Sequence, residues 1–163
     1  MNSVITKILL LLRPALLPLA VSWAKEQESL ILKTGSPLAD QNLADARAAG
    51  VQLPEKIRLL AVTAIPAPEN LILRLASQLL GLITANTGGL TLRYGIFIRK
   101  DCWDDRELIA HECIHTAQYE RLGGFEQFLN RYLTECLEIG YPEAPLEQEA
   151  ILGARRIVNS RPK

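Results

Sequence analysis

Apolar residues recur along most of this chain at helical spacing, and two shorter stretches carry the period of a strand. Residues 1–24 are strongly apolar, with Ile8 to Leu12 and Ala15 to Val21 interrupted by Arg13-Pro14 and Pro18. The run falls short of the roughly 20 residues needed to span a bilayer. It predicts a helix kinked at the prolines that packs on the rest of the chain or makes peripheral contact with a membrane surface. Read instead as an h-region, with Ser22-Trp23-Ala24 as a small-x-small cleavage site, the same stretch predicts a signal or anchor.

Further along, Lys25 to Gly35 predicts a polar helix and Pro37 to Ala49 another, stopped by Gly50. Lys56 to Ile65 predicts a strand closed by Pro66-Ala67-Pro68. Glu69 to Ile83 predicts an apolar helix whose stripe of Leu71, Ile72, Leu75, Leu79 and Leu82 belongs to the core. In Leu90 to Arg99, Leu90, Leu92, Tyr94, Ile96 and Ile98 alternate with Thr91, Arg93, Gly95, Phe97 and Arg99, the clearest strand pattern in the chain. Phe125 to Ile139 predicts an amphipathic helix that leaves Glu126, Glu135 and Glu138 to solvent, and a last helix follows Pro145. The expected fold is α+β, mostly helical with a small sheet, residues 25–163 forming one domain behind the N-terminal segment 1–24.

Eighteen basic and eighteen acidic residues cancel, so no global field draws nucleic acid. Three cysteines, Cys102, Cys113 and Cys136, lack Cys-x-x-Cys spacing and argue for a reducing, cytoplasmic setting, export being the alternative.

The chemistry concentrates in His111-Glu112-Cys113-Ile114-His115, which holds the only two histidines among 163 residues. In a helix, a spacing of four puts both imidazoles on one face about 6 Å apart along the axis, close enough to share a metal ion. Glu112 comes off the edge of that face, where a carboxylate can take a proton instead of ligating. Ile109, Ala110, Cys113, Ile114 and Ala117 form the opposite, apolar side, which makes Cys113 core filler. Gln118 and Tyr119 share the histidine side and are expected to line a cleft with it. This arrangement resembles the zincin metallopeptidases.

Two histidines leave a catalytic zinc one protein ligand short. The metzincin branch would need Gly and His where Gln118 and Arg121 stand. With no third histidine, the remaining ligand should be a carboxylate, the gluzincin pattern. In the last helix Leu146, Ala150, Ile151, Ala154, Ile157 and Val158 make the buried face, and Glu147 falls near its centre. A carboxylate there is costly unless it meets a cation. Glu147 is therefore the expected ligand, with Glu149 as the alternative and pairing of Glu147 with an arginine as the structural one. Glu147-Gln148-Glu149-Ala150 resembles the Glu-x-x-Ala element of gluzincins, including thermolysin-like and minigluzincin peptidases. Many of those carry an acidic residue directly after the small one to orient a ligating histidine. Here Ile151 occupies that place, so the support of the ligands must differ.

What the resemblance implies is peptide-bond hydrolysis of a peptide or protein substrate. Zn2+ would be held by His111, His115 and Glu147, and Glu112 would act as general base on the zinc-bound water. A strand beside the metal helix would bind the extended substrate at the sheet edge. Tyr119 and Tyr141 are the candidate oxyanion donors. The alternative is a noncatalytic zinc-binding domain that offers its cleft to a protein partner, in which Glu112 would be unneeded.

Overall fold

Pro14 and Pro18 interrupt the N-terminal apolar run without ending its helix. The computed structural model describes residues 3–160, and its first helix, α1, runs Ser3–Thr34 with both prolines inside. Spaced by four, they lie on one exposed face, where carbonyls that lose their donors stay open to water. The helix passes residue 24 unbroken, so the expected apolar segment and the following polar helix are one element. Ala24, Glu28 and Ile31 form its buried inner face. Among the described residues no helix is long and apolar enough to cross a membrane.

The later elements are β1 (Ser36–Pro37), α2 (Asp40–Ala48), β2 (Arg58–Val62), α3 (Leu71–Leu79), β3 (Gly89–Leu92), β4 (Gly95–Arg99), α4 (Arg106–Leu122), α5 (Phe125–Glu138) and α6 (Pro145–Asn159). The fold is α+β, a set of helices around one four-stranded sheet of order β1-β2-β4-β3. Pro37, expected to open a helix, instead pairs with Arg58 in the short antiparallel β1–β2 contact, and α2 begins at Asp40. β2 and β4 run parallel, with Leu59 opposite Ile96 and Ala61 opposite Ile98.

The expected strand from Leu90 to Arg99 is a hairpin. β3 and β4 pair antiparallel, with Leu92 opposite Gly95, and Arg93-Tyr94 makes the turn. Arg93 has a φ of 60°, the positive value a II′ turn needs at its first central residue. Its side chain is held by a bidentate pair with the buried Glu28 of α1, both contacts 2.8 Å. Thr116 of α4 donates to the Arg93 carbonyl at 2.7 Å. Alternation could not mark this turn, because the two-residue period runs through it unbroken.

The sheet is covered on both faces, which is why β4 is buried from Gly95 to Ile98. Ile96 and Ile98 pack with Ile57, Leu59, Ile109 and Cys113 on the α2–α4 side. Phe97 joins Ala24, Ile31 and Leu92 on the α1 side. α4 starts from an Asp105 carboxylate that accepts the Leu108 N–H at 3.0 Å and ends on Gly123 at φ 99°. It is the hub of the fold: Ala110 and Ile114 meet Ala150, Ala154 and Ile157 of α6, and Tyr119 meets Phe125 and Phe128 of α5.

α3 reverses its expected orientation. Leu71, Ile72, Leu75 and Leu79 are about half exposed, at 58%, 54%, 49% and 53%. Leu73, Ala76, Ser77 and Leu80 turn inward instead. Both sets have helical spacing, so periodicity alone could not choose between them. The inward set contains the small Ala76 and Ser77, which lets α3 approach the interior closely.

Candidate metal centre

α4 and α6 pack closely through alanines and a glycine, and this brings the two halves of the site together. His111 and His115 stand four apart on α4, with their Nε2 atoms 3.1 Å from each other. Glu147, in the first turn of α6, sets Oε1 3.2 Å from His115 Nε2 and Oε2 3.5 Å from His111 Nε2. One ligand atom from each of these residues lies within 4.8 Å of the others. Their register depends on how α6 begins. Ala144 offers no side-chain cap, and Glu135 of α5 supplies one by accepting the Leu146 N–H at 2.9 Å. Glu135 was expected in solvent; its side chain is only 13% exposed because it closes this helix end.

Glu147 and Glu149 occupy different surroundings. Glu147 is buried between the imidazoles, whereas Glu149 lies outside and accepts two hydrogen bonds from Arg121, both 2.8 Å. Glu147 Oε1 accepts from the Tyr132 hydroxyl at 2.5 Å. Its Oε2 is the one buried side-chain oxygen or nitrogen without a hydrogen-bond partner among the described residues. A buried carboxylate oxygen aimed between two imidazoles, with no donor of its own, fits a cation. Two imidazoles and a carboxylate suit zinc and neighbouring first-row metals.

Burial and charge act in opposite directions here. Burial, reinforced by His115, pushes His111 down to about 4, which leaves its ring neutral at pH 7. Burial also pushes His115 down, but its hydrogen bond to Glu147 and the charge of that residue outweigh this and raise it. Glu147 is lowered in turn, because bonds to His115 and Tyr132 overcome its own desolvation.

Gln118 is the supporting residue that the sequence did not single out. Expected to line the cleft, it is fully buried, and its Oε1 lies 2.8 Å from His115 Nδ1. Its amide nitrogen donates to the Leu146 carbonyl at 2.9 Å and to Glu149 at 3.1 Å. With Oε1 accepting from Nδ1–H, Nε2 is the ring nitrogen turned toward Glu147 and His111. A glutamine three residues after the second histidine thus fixes the orientation of that ring. Helical spacing alone could have shown that Gln118 reaches His115.

Glu112 is held on the other edge of the histidine face. The Thr91 hydroxyl lies 2.6 Å from its Oε2 and 2.9 Å from its main-chain carbonyl, tying β3 to α4. Gly89 makes this approach possible, since a Cβ there would stand 2.5 Å from Glu112 Oε1. Burial pushes Glu112 up to about 7.

The tyrosines are redistributed. Tyr119 is 1% exposed and stacked on Phe128 with ring centroids 3.8 Å apart. It borders the cavity as expected, but among the described residues no hydrogen bond joins it to the triad, and its ring is packed into the core. Tyr141 borders the same cavity as the triad and is 44% exposed. Tyr132 of α5 is the tyrosine that hydrogen-bonds to a triad member. No protein-family model, curated protein or solved structure matches this chain.

Proposed function

We propose that this protein is a zinc-dependent hydrolase of the gluzincin type that cuts peptide bonds. The unpartnered Oε2 of Glu147, buried beside two convergent imidazole nitrogens, is the observation that carries the metal assignment. His111, His115 and Glu147 would hold the ion at the border of the cavity. Zinc bound there supplies Lewis acidity, which polarises a carbonyl and lowers the pKa of water.

The remaining chemistry belongs to the chain. Glu112 borders the cavity without joining the triad, and its carboxyl, near 7, suits proton exchange at neutral pH. It takes a proton from the attacking water as the new C–O bond forms, and gives it to the leaving amine as the C–N bond breaks. Thr91 fixes the carboxylate during both transfers. β3 is the outermost strand on its side of the sheet and lies against α4, so an extended peptide can add to it beside Glu112. A purely structural zinc site has no use for a buried carboxylate held next to, but outside, its ligand set. This favours the hydrolase over the noncatalytic reading.

Metal analysis of the purified protein tests the ligands, with one zinc per chain expected and loss of zinc in Glu147→Ala. Glu112→Gln should keep zinc and fold while peptidase activity falls by roughly 10²–10⁴-fold. Equal loss of zinc in Glu112→Gln and His111→Ala would overturn the assigned roles.

A further inference from the structure

The triad and Glu112 sit at one end of a cavity of about 180 Å³ that continues between α1, α3 and α5. On α1 its wall reaches from Leu9 to Ala24, and on α5 from Phe128 to Leu137. At 1.5 Å per helical residue these walls are about 22 Å and about 14 Å long. The cavity is thus an elongated passage that stays partly open to solvent. The apolar cluster of Leu9, Leu80 and Leu137 forms part of its wall away from the triad.

Charged groups are concentrated at the triad end. Arg13 is the only charged side chain bordering the cavity away from the His–Glu end, and its guanidinium donates to Thr134 of α5. The Ser77 hydroxyl is already bonded to the Arg74 carbonyl at 2.9 Å. A peptide pushed along this passage would leave its amides without partners, whereas a hydrocarbon gives up no hydrogen bond. One acyl chain of a bilayer reaches about 15 Å, half the hydrocarbon thickness, which matches the shorter wall.

We propose that this passage seats a single unbranched acyl chain, so that the preferred substrate is an amide with a long acyl group on its carbonyl side. Placing the scissile amide at the polar end rests on the hydrolase reading; the seat of the chain does not. Cleavage follows the steps given above, with one water consumed, the fatty carboxylate and the amine released, and no other reactant.

Trp23 borders the passage and the only other tryptophan is Trp103, so Trp103→Phe leaves one reporter on the wall. ω-Bromo fatty acids of six to sixteen carbons, kept below their micelle-forming concentrations, are titrated into this variant with and without zinc. We expect saturable quenching of Trp23 in both forms, with binding tighter by about three- to fourfold for each added methylene until the passage is full. Ala76→Phe and Ala20→Phe, which place rings in the passage, should abolish quenching while zinc stoichiometry is unchanged. The chain-length series in the unblocked protein stands without them should either fail to fold. No saturable quenching, or affinity that ignores chain length, would overturn the proposal. So would displacement of the bromo acid by N-acetyl-leucine amide as readily as by dodecanoate, which would mark a side-chain pocket. A length-dependent series in a protein that takes up no zinc would sink the hydrolase reading and leave the acyl seat standing. Zinc binding with a flat series would do the reverse. In the zinc-loaded enzyme N-dodecanoylglycine amide should be cut at least about tenfold faster than N-acetylglycine amide, and equal rates would refute the acyl preference.

Discussion

The two ends of the cavity are built on opposite terms. At the polar end Glu147, Glu112 and Gln118 are each fixed by a hydrogen bond to a neighbouring element, and Gln118 in turn holds His115. At the other end α1 and α3 meet through aliphatic contact alone, and both carry exposed leucines on their outer sides. Directional bonds hold atoms to within tenths of an ångström, while apolar burial rewards area with little regard to orientation. One end can therefore position reacting groups, and the other can adapt to what fills it.

Substitutions should separate the two ends. The largest effect is expected from Gly89→Ala, whose Cβ would stand 2.5 Å from Glu112 Oε1 and force that carboxylate aside. Peptidase activity should fall by roughly 10²–10⁴-fold with zinc retained, as kinetics beside metal analysis would show. Gln118→Ala should weaken zinc binding by roughly 10–100-fold by freeing the His115 ring, measured by competition with a chelator. If zinc affinity did not move, the contrast between a fixed and an adaptable end would lose its main support.

Smaller changes are expected away from the cavity. Asp45 lies below its ordinary value, chiefly because Arg106 donates two hydrogen bonds to it, at 2.7 and 2.9 Å. A lowered carboxyl pKa stabilises the native state above the unfolded value of 3.8, and that stability disappears as pH falls through the native value. Asp45→Asn should cost about 1 kcal/mol at pH 7 and flatten the acid limb, read from urea unfolding at neutral pH and at pH 3. Leu75→Ser, on the exposed side of α3, should change stability by no more than about 0.5 kcal/mol in the same assay. A loss as large as a core truncation would mean that this face is covered.

Much of the half that carries the His–Glu triad was legible along the chain. The His111–His115 spacing, the apolar wheel opposite it and the central position of Glu147 on the last helix all depend on local helical geometry. The misreadings share a cause. Leu71 and Leu75 have the same spacing as Leu73 and Ala76, and the alternation from Leu90 to Ile98 runs straight through the Arg93-Tyr94 turn. In both places the local pattern allowed two answers, and packing against α1 selected one. Glu135 was misread because the helix end it closes belongs to another element, and the bonds from Gln118 to α6 depend on how the two helices meet, although its reach to His115 is local.

Amino-acid order by itself determined which residues could share a helix face: two imidazoles on one, a carboxylate on another, and Glu112 at the edge of the first. The helical repeat of 3.6 residues is local and acts wherever a helix forms. Only the tertiary structure decided that the two helices meet, that Glu147 Oε2 ends without a donor, and that a narrow apolar passage leads away from it. Those features arise from the close packing of segments distant in the chain, which no local period encodes.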